Sequence, residues 1–143
     1  MQDVAKPAID GPMTASPPLQ CVEGIAMFRP SGSMPLAAAV TLVESAITEA
    51  RRLQCTGLLV RVTALSGFGP PSIPARHEMM RRWAIAADGR LRIALVIHAE
   101  FFDPERFGEI SAANFGLAGK GFLTEAGAMA WLREPPWRDA GRG

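Results

Sequence analysis

The feature that most constrains the fold of this chain is the regular alternation of strand-like and helix-like segments. Four apolar, β-rich runs are predicted to be strands: residues 21–28, 57–65, 91–98 and 121–123. Four segments with helical spacing or helix-capping residues follow them and are predicted to be helices: residues 34–54, 73–87, 103–114 and 124–133. Because parallel strands need crossover connections, this order predicts an α/β fold with a largely parallel sheet.

Local signals set the ends of two of these helices. Ser33 is the predicted N-cap of the first helix, and Ser72 is the predicted N-cap of the second. Proline in the first turn of each is tolerated because the N–H groups there have no intrahelical partner. Asp88 and Gly89 are predicted to end the second helix.

The strand predicted over residues 57–65 has two unlike faces. Its even positions from Leu58 to Ala64 are all apolar, whereas Arg61 and Thr63 lie among the odd positions. The charge indicates that one side of the sheet is less fully covered than the other, which leaves a possible dimer face. The run 91–98 shows no alternation, as is typical of a central parallel strand.

The length of 143 residues favours one domain. We predict a flexible segment at residues 1–18, a single domain at 19–134 and a flexible tail at 135–143, because prolines and small or polar residues dominate both ends.

Charge and hydropathy exclude several classes of partner. A formal net charge of +1 gives no electrostatic basis for binding nucleic acid or an anionic membrane. No apolar run approaches the roughly 18 to 20 residues that a membrane span needs. The first residues have no apolar central region typical of a secretory signal, so we expect a cytoplasmic protein. Cys21 and Cys55, without a CxxC motif, are expected to be buried thiols, and no cofactor is predicted.

Polar residues of catalytic or binding type gather where predicted strands end. In open α/β sheets, ligands bind at the carboxyl ends of the strands. Here that edge would combine the loop of residues 66–76 with residues 98–103. The residues predicted there are Ser66, Phe68, Ser72, Arg76, His98 and Glu100.

None of the common catalytic patterns is complete at this edge. Ser66 lacks the leading glycine of the G-x-S-x-G turn, yet a small serine hydrolase using Ser66 or His98 remains an alternative. The run 116–121 has the wrong spacing for a P-loop and precedes a strand. His77 and His98 do not form a recognised zinc-binding spacing, so no metal site is predicted.

The ordered region, from about residue 22 to 132, resembles a STAS-like domain, the fold of the bacterial anti-sigma-factor antagonists. The resemblance lies in the order of its parts: the first strand, the strand 58–63 with its Gly/Ser loop and helix, the strand 92–97, and the segments 121–125 and 128–132. The last two are similar to the SpoIIAA-like branch. The resemblance implies a four- or five-stranded, mostly parallel sheet with helices mainly on one face.

The same resemblance implies a regulatory function. Such domains bind an anti-sigma factor, a kinase-like protein or another partner, and a serine in the loop before the second helix accepts phosphate. Ser66 matches that position, and Ser72 is the second candidate. In the family an Asp precedes the serine and a helix follows at once, whereas here Leu65 precedes Ser66 and residues 68–71 intervene. Phospho-switching is therefore disfavoured relative to partner or ligand binding.

We therefore expect a non-enzymatic binding module for a protein partner or a small ligand. The two alternatives are the serine hydrolase and a structural homodimer. Phe68, Arg76, His98 and Glu100 are the expected binding residues.

Overall fold

The computed structural model describes residues 19–101 and 118–134. Seven strands lie in these ranges: β1 (Cys21–Val22), β2 (Ile25–Phe28), β3 (Ser31–Ser33), β4 (Gly57–Arg61), β5 (Ala64–Ser66), β6 (Arg92–Val96) and β7 (Ala118–Phe122). Three α-helices accompany them: α1 (Leu36–Arg52), α2 (Ile73–Ala87) and α3 (Glu125–Leu132). A 3-10 helix spans Ala99–Phe101. The predicted helix 103–114 and both predicted flexible ends lie outside the described residues.

The strands form one five-stranded sheet and one two-stranded sheet. The larger sheet has the order β1-β2-β4-β6-β7, and every pair in it is parallel except β1 with β2. The smaller sheet is the parallel pair β3 and β5. The described part of the chain thus has the α/β class and the mostly parallel sheet that the alternation predicts.

The prediction of one continuous strand over residues 57–65 is wrong. The ladder between β4 and β6 ends with a hydrogen bond from Val62 N to Val96 O (3.0 Å). A second bond, from Leu65 N to Val62 O (3.0 Å), then turns the chain into β5. The segment 29–33, which lies outside every predicted strand, contains β3, and β3 pairs with β5. Pro30 has no N–H to donate, which explains why β2 ends before it.

Helices cover both faces of the sheet. Leu58 and Val60 point to the face that packs against α1 and α2, and Leu59 points to the opposite face, against α3. The side on which Arg61 lies is therefore covered in part by α3. Alternation along β4 could not reveal that a helix covers this face, because α3 lies far along the chain.

Helix capping follows the local signals at α2 but not at α1. The Ser72 hydroxyl accepts a hydrogen bond from Ala75 N (3.2 Å), which confirms the predicted cap. Ser33 instead belongs to β3, and Pro35 occupies the N-cap of α1 without a side-chain hydrogen bond. Asp88 ends α2 in the left-handed region at φ 52°. Within residues 19–101 and 118–134, no helix is long and apolar enough to cross a membrane.

Candidate functional site

The carboxyl ends of the parallel strands meet at one edge of the molecule. The two-stranded sheet extends this edge, because β3 follows β2 and β5 follows β4. Its last residues, Ser33 and Ser66, lie directly opposite each other and are both exposed. The edge predicted from the sequence to hold the site therefore exists, with an extra layer of strands that the sequence pattern did not indicate.

Close backbone contacts hold the loop after β5 in place. Met34 N donates a hydrogen bond to Ser66 O at 2.8 Å. Gly67 follows with φ 102°, a conformation that residues with a Cβ rarely adopt. A Cβ on Gly67 would lie 2.5 Å from Met34 O, so only glycine allows this approach to the start of α1. These contacts fix the backbone of the loop at the two residues directly before Phe68.

Phe68, His98 and Phe101 form a cluster that we call the aromatic edge. The rings of Phe68 and Phe101 stack with centroids 6.1 Å apart and planes 17° apart. His98 lies against Phe101 at a centroid distance of 6.3 Å. Both phenylalanines are half-buried and His98 is exposed. The contact joins the loop after β5 to the 3-10 helix after β6.

Phe68 and His98 are each held in place by a neighbouring part of the fold. Phe68 packs against a buried cluster from α1, β5 and the residue after β3: Met34, Ala39, Leu42 and Leu65. The imidazole of His98 forms a hydrogen bond through Nε2 with Thr63 O at 2.9 Å. The edge is therefore a pre-organised surface rather than a set of independent side chains, since both rings are fixed by neighbours in the fold.

The other predicted site residues belong to the end of β5 and the loop after it, to the start of α2 and to the 3-10 helix. Ser72 caps α2, and Arg76 is half-buried one turn further along that helix. Glu100 is exposed in the 3-10 helix, between the two ring positions 98 and 101. Phe68 and His98 are thus brought together by a shared contact with Phe101. Ser66 and Ser72 differ, because Ser66 is exposed at a strand end and the Ser72 hydroxyl is already engaged as a cap.

A charged cluster that the sequence pattern did not indicate lies at the same end of the sheet. Arg29 donates to both carboxylate oxygens of Glu125, from Nε at 2.7 Å and from Nη2 at 2.8 Å. Arg61 Nη1 lies 3.3 Å from Oε2 of the same carboxylate. Arg29 follows β2 and Arg61 ends β4, so both stand at carboxyl ends of parallel strands. Their position at the carboxyl ends of parallel strands could have identified the two arginines. The position of Glu125 in the first turn of a capped helix could have identified the carboxylate.

Glu125 is held ionised by its two arginines. The pKa of Glu125 is lowered, mainly by the hydrogen bonds from Arg29, while partial burial acts in the opposite direction and the charges of Arg29 and Arg61 lower it further. A carboxyl group with a lowered folded-state pKa stabilises the fold above its unfolded pKa of about 4.3, and this contribution is lost as the pH falls through the folded-state value.

We therefore expect Glu125→Gln to lower the free energy of unfolding by about 1 kcal/mol at pH 7, in keeping with a bidentate, partly screened ion pair. The difference from the wild type should shrink as the pH falls below about 4, because the wild-type carboxyl group is then protonated as well. Urea unfolding of both proteins at several pH values measures it. Glu78→Gln is the matched control, since Glu78 also pairs with an arginine, Arg81, but within one helix and in solvent. Equal pH dependence of wild type and Glu125→Gln would contradict the assignment.

Within residues 19–101 and 118–134, neither a Ser66–His98 hydrogen bond nor a cluster of metal-ligand residues is formed. The predicted base His98 is bonded to the Thr63 carbonyl, and no hydrogen bond joins it to Ser66 in residues 19–101. Across the described ranges, no group of three or more His, Cys, Asp or Glu residues could hold a metal ion. What the edge does present is aromatic surface with polar and charged residues around it.

No protein-family model, no curated protein and no solved structure matches this chain.

Proposed function

We propose that this chain is a non-enzymatic regulatory module that binds a protein partner through the aromatic edge. The observation that carries the proposal is the stack of Phe68 on Phe101, which places two half-buried rings at the carboxyl ends of the strands. Large aromatic side chains that are rigid before binding dominate the energetics of protein interfaces. Ser66, Arg76 and Glu100 provide the polar surroundings that such a contact needs.

The resemblance to STAS-like domains supports the same class of function. In that family the loop before the second helix meets an anti-sigma factor or a kinase-like partner, and here this loop carries Phe68. We propose a partner of that kind. Ser66 is the serine that a kinase-like partner would reach, because it is exposed whereas the Ser72 hydroxyl caps α2.

A protein partner is favoured over a small ligand and over a hydrolytic substrate. The aromatic edge joins two separate loops, and polar residues follow in the first turn of α2 and in the 3-10 helix. A surface built from several segments suits a macromolecular contact better than an enclosed ligand. For hydrolysis, His98 would have to release Thr63 O before it could serve Ser66 as a base.

The alternative of a structural homodimer has less support than the partner-binding proposal. It depended on an uncovered sheet face bearing Arg61. That arginine instead lies within an ion pair of Glu125, and α3 packs on the same face over Leu59 and Ala94. Light scattering on the purified chain still tests it directly.

We expect Phe68→Ala to weaken partner binding by about tenfold or more, because truncating an anchored aromatic side chain removes a hot-spot contact. The tagged chain is used to capture proteins from its source cells, and each recovered protein is then purified and titrated by calorimetry. Ile85→Ala is the matched control, since Ile85 is an equally apolar side chain, 64% exposed near the end of α2. A partner that binds Phe68→Ala as tightly as the wild type would remove the aromatic edge from the interface.

A fluorophosphonate probe separates the hydrolase alternative from partner binding. Labelling of Ser66 in the native chain would contradict a non-enzymatic module. No labelling, together with Phe68-dependent capture, is the result expected from the proposal.

A further inference from the structure

Two thiols share one apolar cluster near the edge of the sheet formed by β1. Cys55 is buried, and Cys21 packs in part against the same apolar cluster. Cys55 immediately precedes β4, so this pair lies at the opposite end of that strand from the aromatic edge.

The backbone brings the two cysteines together. The turn between β1 and β2 contains Gly24, whose carbonyl oxygen accepts hydrogen bonds from Thr56 N (2.7 Å), Gly57 N (3.0 Å) and Thr56 Oγ1 (3.2 Å). Glu23 and Gly24 both have positive φ, at 53° and 83°, which lets the turn reach these donors. The β1–β2 hairpin is thus tied to the residue that directly follows Cys55.

Strand register places the Cys21 side chain on the face of the sheet that α1 covers. Cys21 lies opposite Ala26 in β2, and Ala26 lies opposite Leu58 in β4. Residues opposite each other in neighbouring strands project to the same face of a sheet. Ala26 and Leu58 face the cluster beneath α1, and Cys55 belongs to that cluster. Cys21 therefore projects to the face of the sheet on which Cys55 lies, and the Cys55 thiol interacts directly with that of Cys21.

The two thiols differ in burial, and this difference makes Cys21 the more reactive of the two. Burial, and then the neighbouring Cys21, raise the pKa of Cys55 to about 12. A thiol with so high a pKa is a poor nucleophile at neutral pH, because only the thiolate attacks. Cys21 is the more exposed of the two. Cys21 is therefore the thiol that meets an external reagent first.

We propose that Cys21 and Cys55 form a reversible intramolecular disulfide by exchange with a low-molecular-weight disulfide such as oxidised glutathione. The Cys21 thiolate attacks one sulfur of the reagent, and one reagent thiolate leaves. Cys55 then loses its proton and attacks the Cys21 sulfur of the mixed disulfide, which releases the second reagent thiolate. Two protein thiols are oxidised, one reagent disulfide is reduced, and the two protons appear on the two reagent thiols.

The bond would tie the edge strand to the loop between α1 and β4. It would close a loop of about 35 residues, for which the loss of unfolded-state entropy raises the midpoint of thermal unfolding by roughly 10 °C in a domain of this size. The proposal is independent of the partner-binding function, because it uses neither the aromatic edge nor its charged neighbours.

The test is incubation of the native chain with oxidised glutathione at pH 8, followed by alkylation of remaining thiols under denaturing conditions and intact-mass measurement. The expected product lacks two free thiols, has lost the mass of two hydrogens, and unfolds roughly 10 °C higher than the same sample with reductant. Proteolysis should yield a peptide joined at Cys21 and Cys55.

Single-cysteine variants distinguish this from other thiol chemistry. Cys55→Ser should stop at a glutathione adduct on Cys21, because no second thiol remains to displace it. Cys21→Ser should keep Cys55 unmodified in the folded state, since it is buried. A wild-type chain that ends as the Cys21 adduct, as an intermolecular dimer, or with both thiols free would overturn the proposal, whatever the variants do.

Discussion

Gly67→Ala is expected to destabilise the fold by about 3 kcal/mol and to disorder the loop that carries Phe68. The substitution combines two penalties, a left-handed backbone at φ 102° and a Cβ placed 2.5 Å from Met34 O. Each penalty is typically worth about 1 to 3 kcal/mol. The hydrogen bond from Met34 N to Ser66 O lies beside the clash, so the β3–β5 pair is expected to loosen with it.

Gly69→Ala is the control that the chain itself provides. Gly69 lies two residues further along the same loop, and a Cβ there meets nothing within 4 Å. Its effect on the free energy of unfolding should stay within about 0.5 kcal/mol. Urea unfolding compares the free energies of unfolding of the two variants. Hydrogen exchange at residues 66–68 shows whether the loss of stability lies in this loop. Equal stability of the two alanine variants would show that the loop does not depend on this close approach.

Trp83→Ala is expected to lower the free energy of unfolding by about 3 to 5 kcal/mol, the largest single-residue effect that we predict. The indole is 4% exposed and belongs to the cluster between α1, α2 and the sheet. Its Nε1 donates a hydrogen bond to Val40 O at 3.1 Å, which links the two helices directly. Truncation removes both the buried apolar surface and this interhelical bond.

Trp83→Phe separates the two contributions. Phenylalanine retains most of the apolar surface but has no donor for Val40 O, so a smaller loss of about 1 to 2 kcal/mol is expected. Ile85→Ala on the same helix should change stability by less than about 0.5 kcal/mol, because its side chain is 64% exposed. Chemical denaturation with tryptophan-independent detection, such as far-ultraviolet circular dichroism, measures all three. A Trp83→Ala value near that of Ile85→Ala would contradict the assigned packing.

These two positions show how the core supports the candidate site. Trp83 fixes α2 on α1, and α2 begins at the end of the loop that holds Phe68. Gly67 fixes the other end of that loop against the start of α1. The aromatic edge therefore depends on α1 from both directions, and we expect changes in the α1–α2 contact to reach the proposed partner surface.

Features encoded within a few neighbouring residues were predictable. The bounds of α2 follow from the Ser72 cap, the proline in the first turn and the Asp88-Gly89 end, all of which lie within the segment itself. The general α/β class follows from the order of the segments. The apolar face of β4 is also readable, since alternation along a strand depends only on its own residues.

Features that depend on distant pairing were not predictable in the same way. The strand β3 consists of Ser31, Gly32 and Ser33, which have little strand preference, and it exists because β5 pairs with it. The start of β7 at Ala118 likewise follows from its register with Arg92 in β6. For this reason the predicted strand 121–123 begins too late.

The candidate site was likewise predictable only in part. The sequence alone predicted that the loops carrying Phe68 and His98 lie at one edge, because parallel strands bring their carboxyl ends to one place. Phe101 as the partner of both was decided by the tertiary structure, since stacking depends on how two loops approach each other. Arg29 and Glu125 are 96 positions apart in the chain, and their pairing depends on α3 packing across the sheet. Local periodicity and capping thus determined α2 and the apolar face of β4, whereas contacts between distant segments decided which aromatic rings stack and which charges pair.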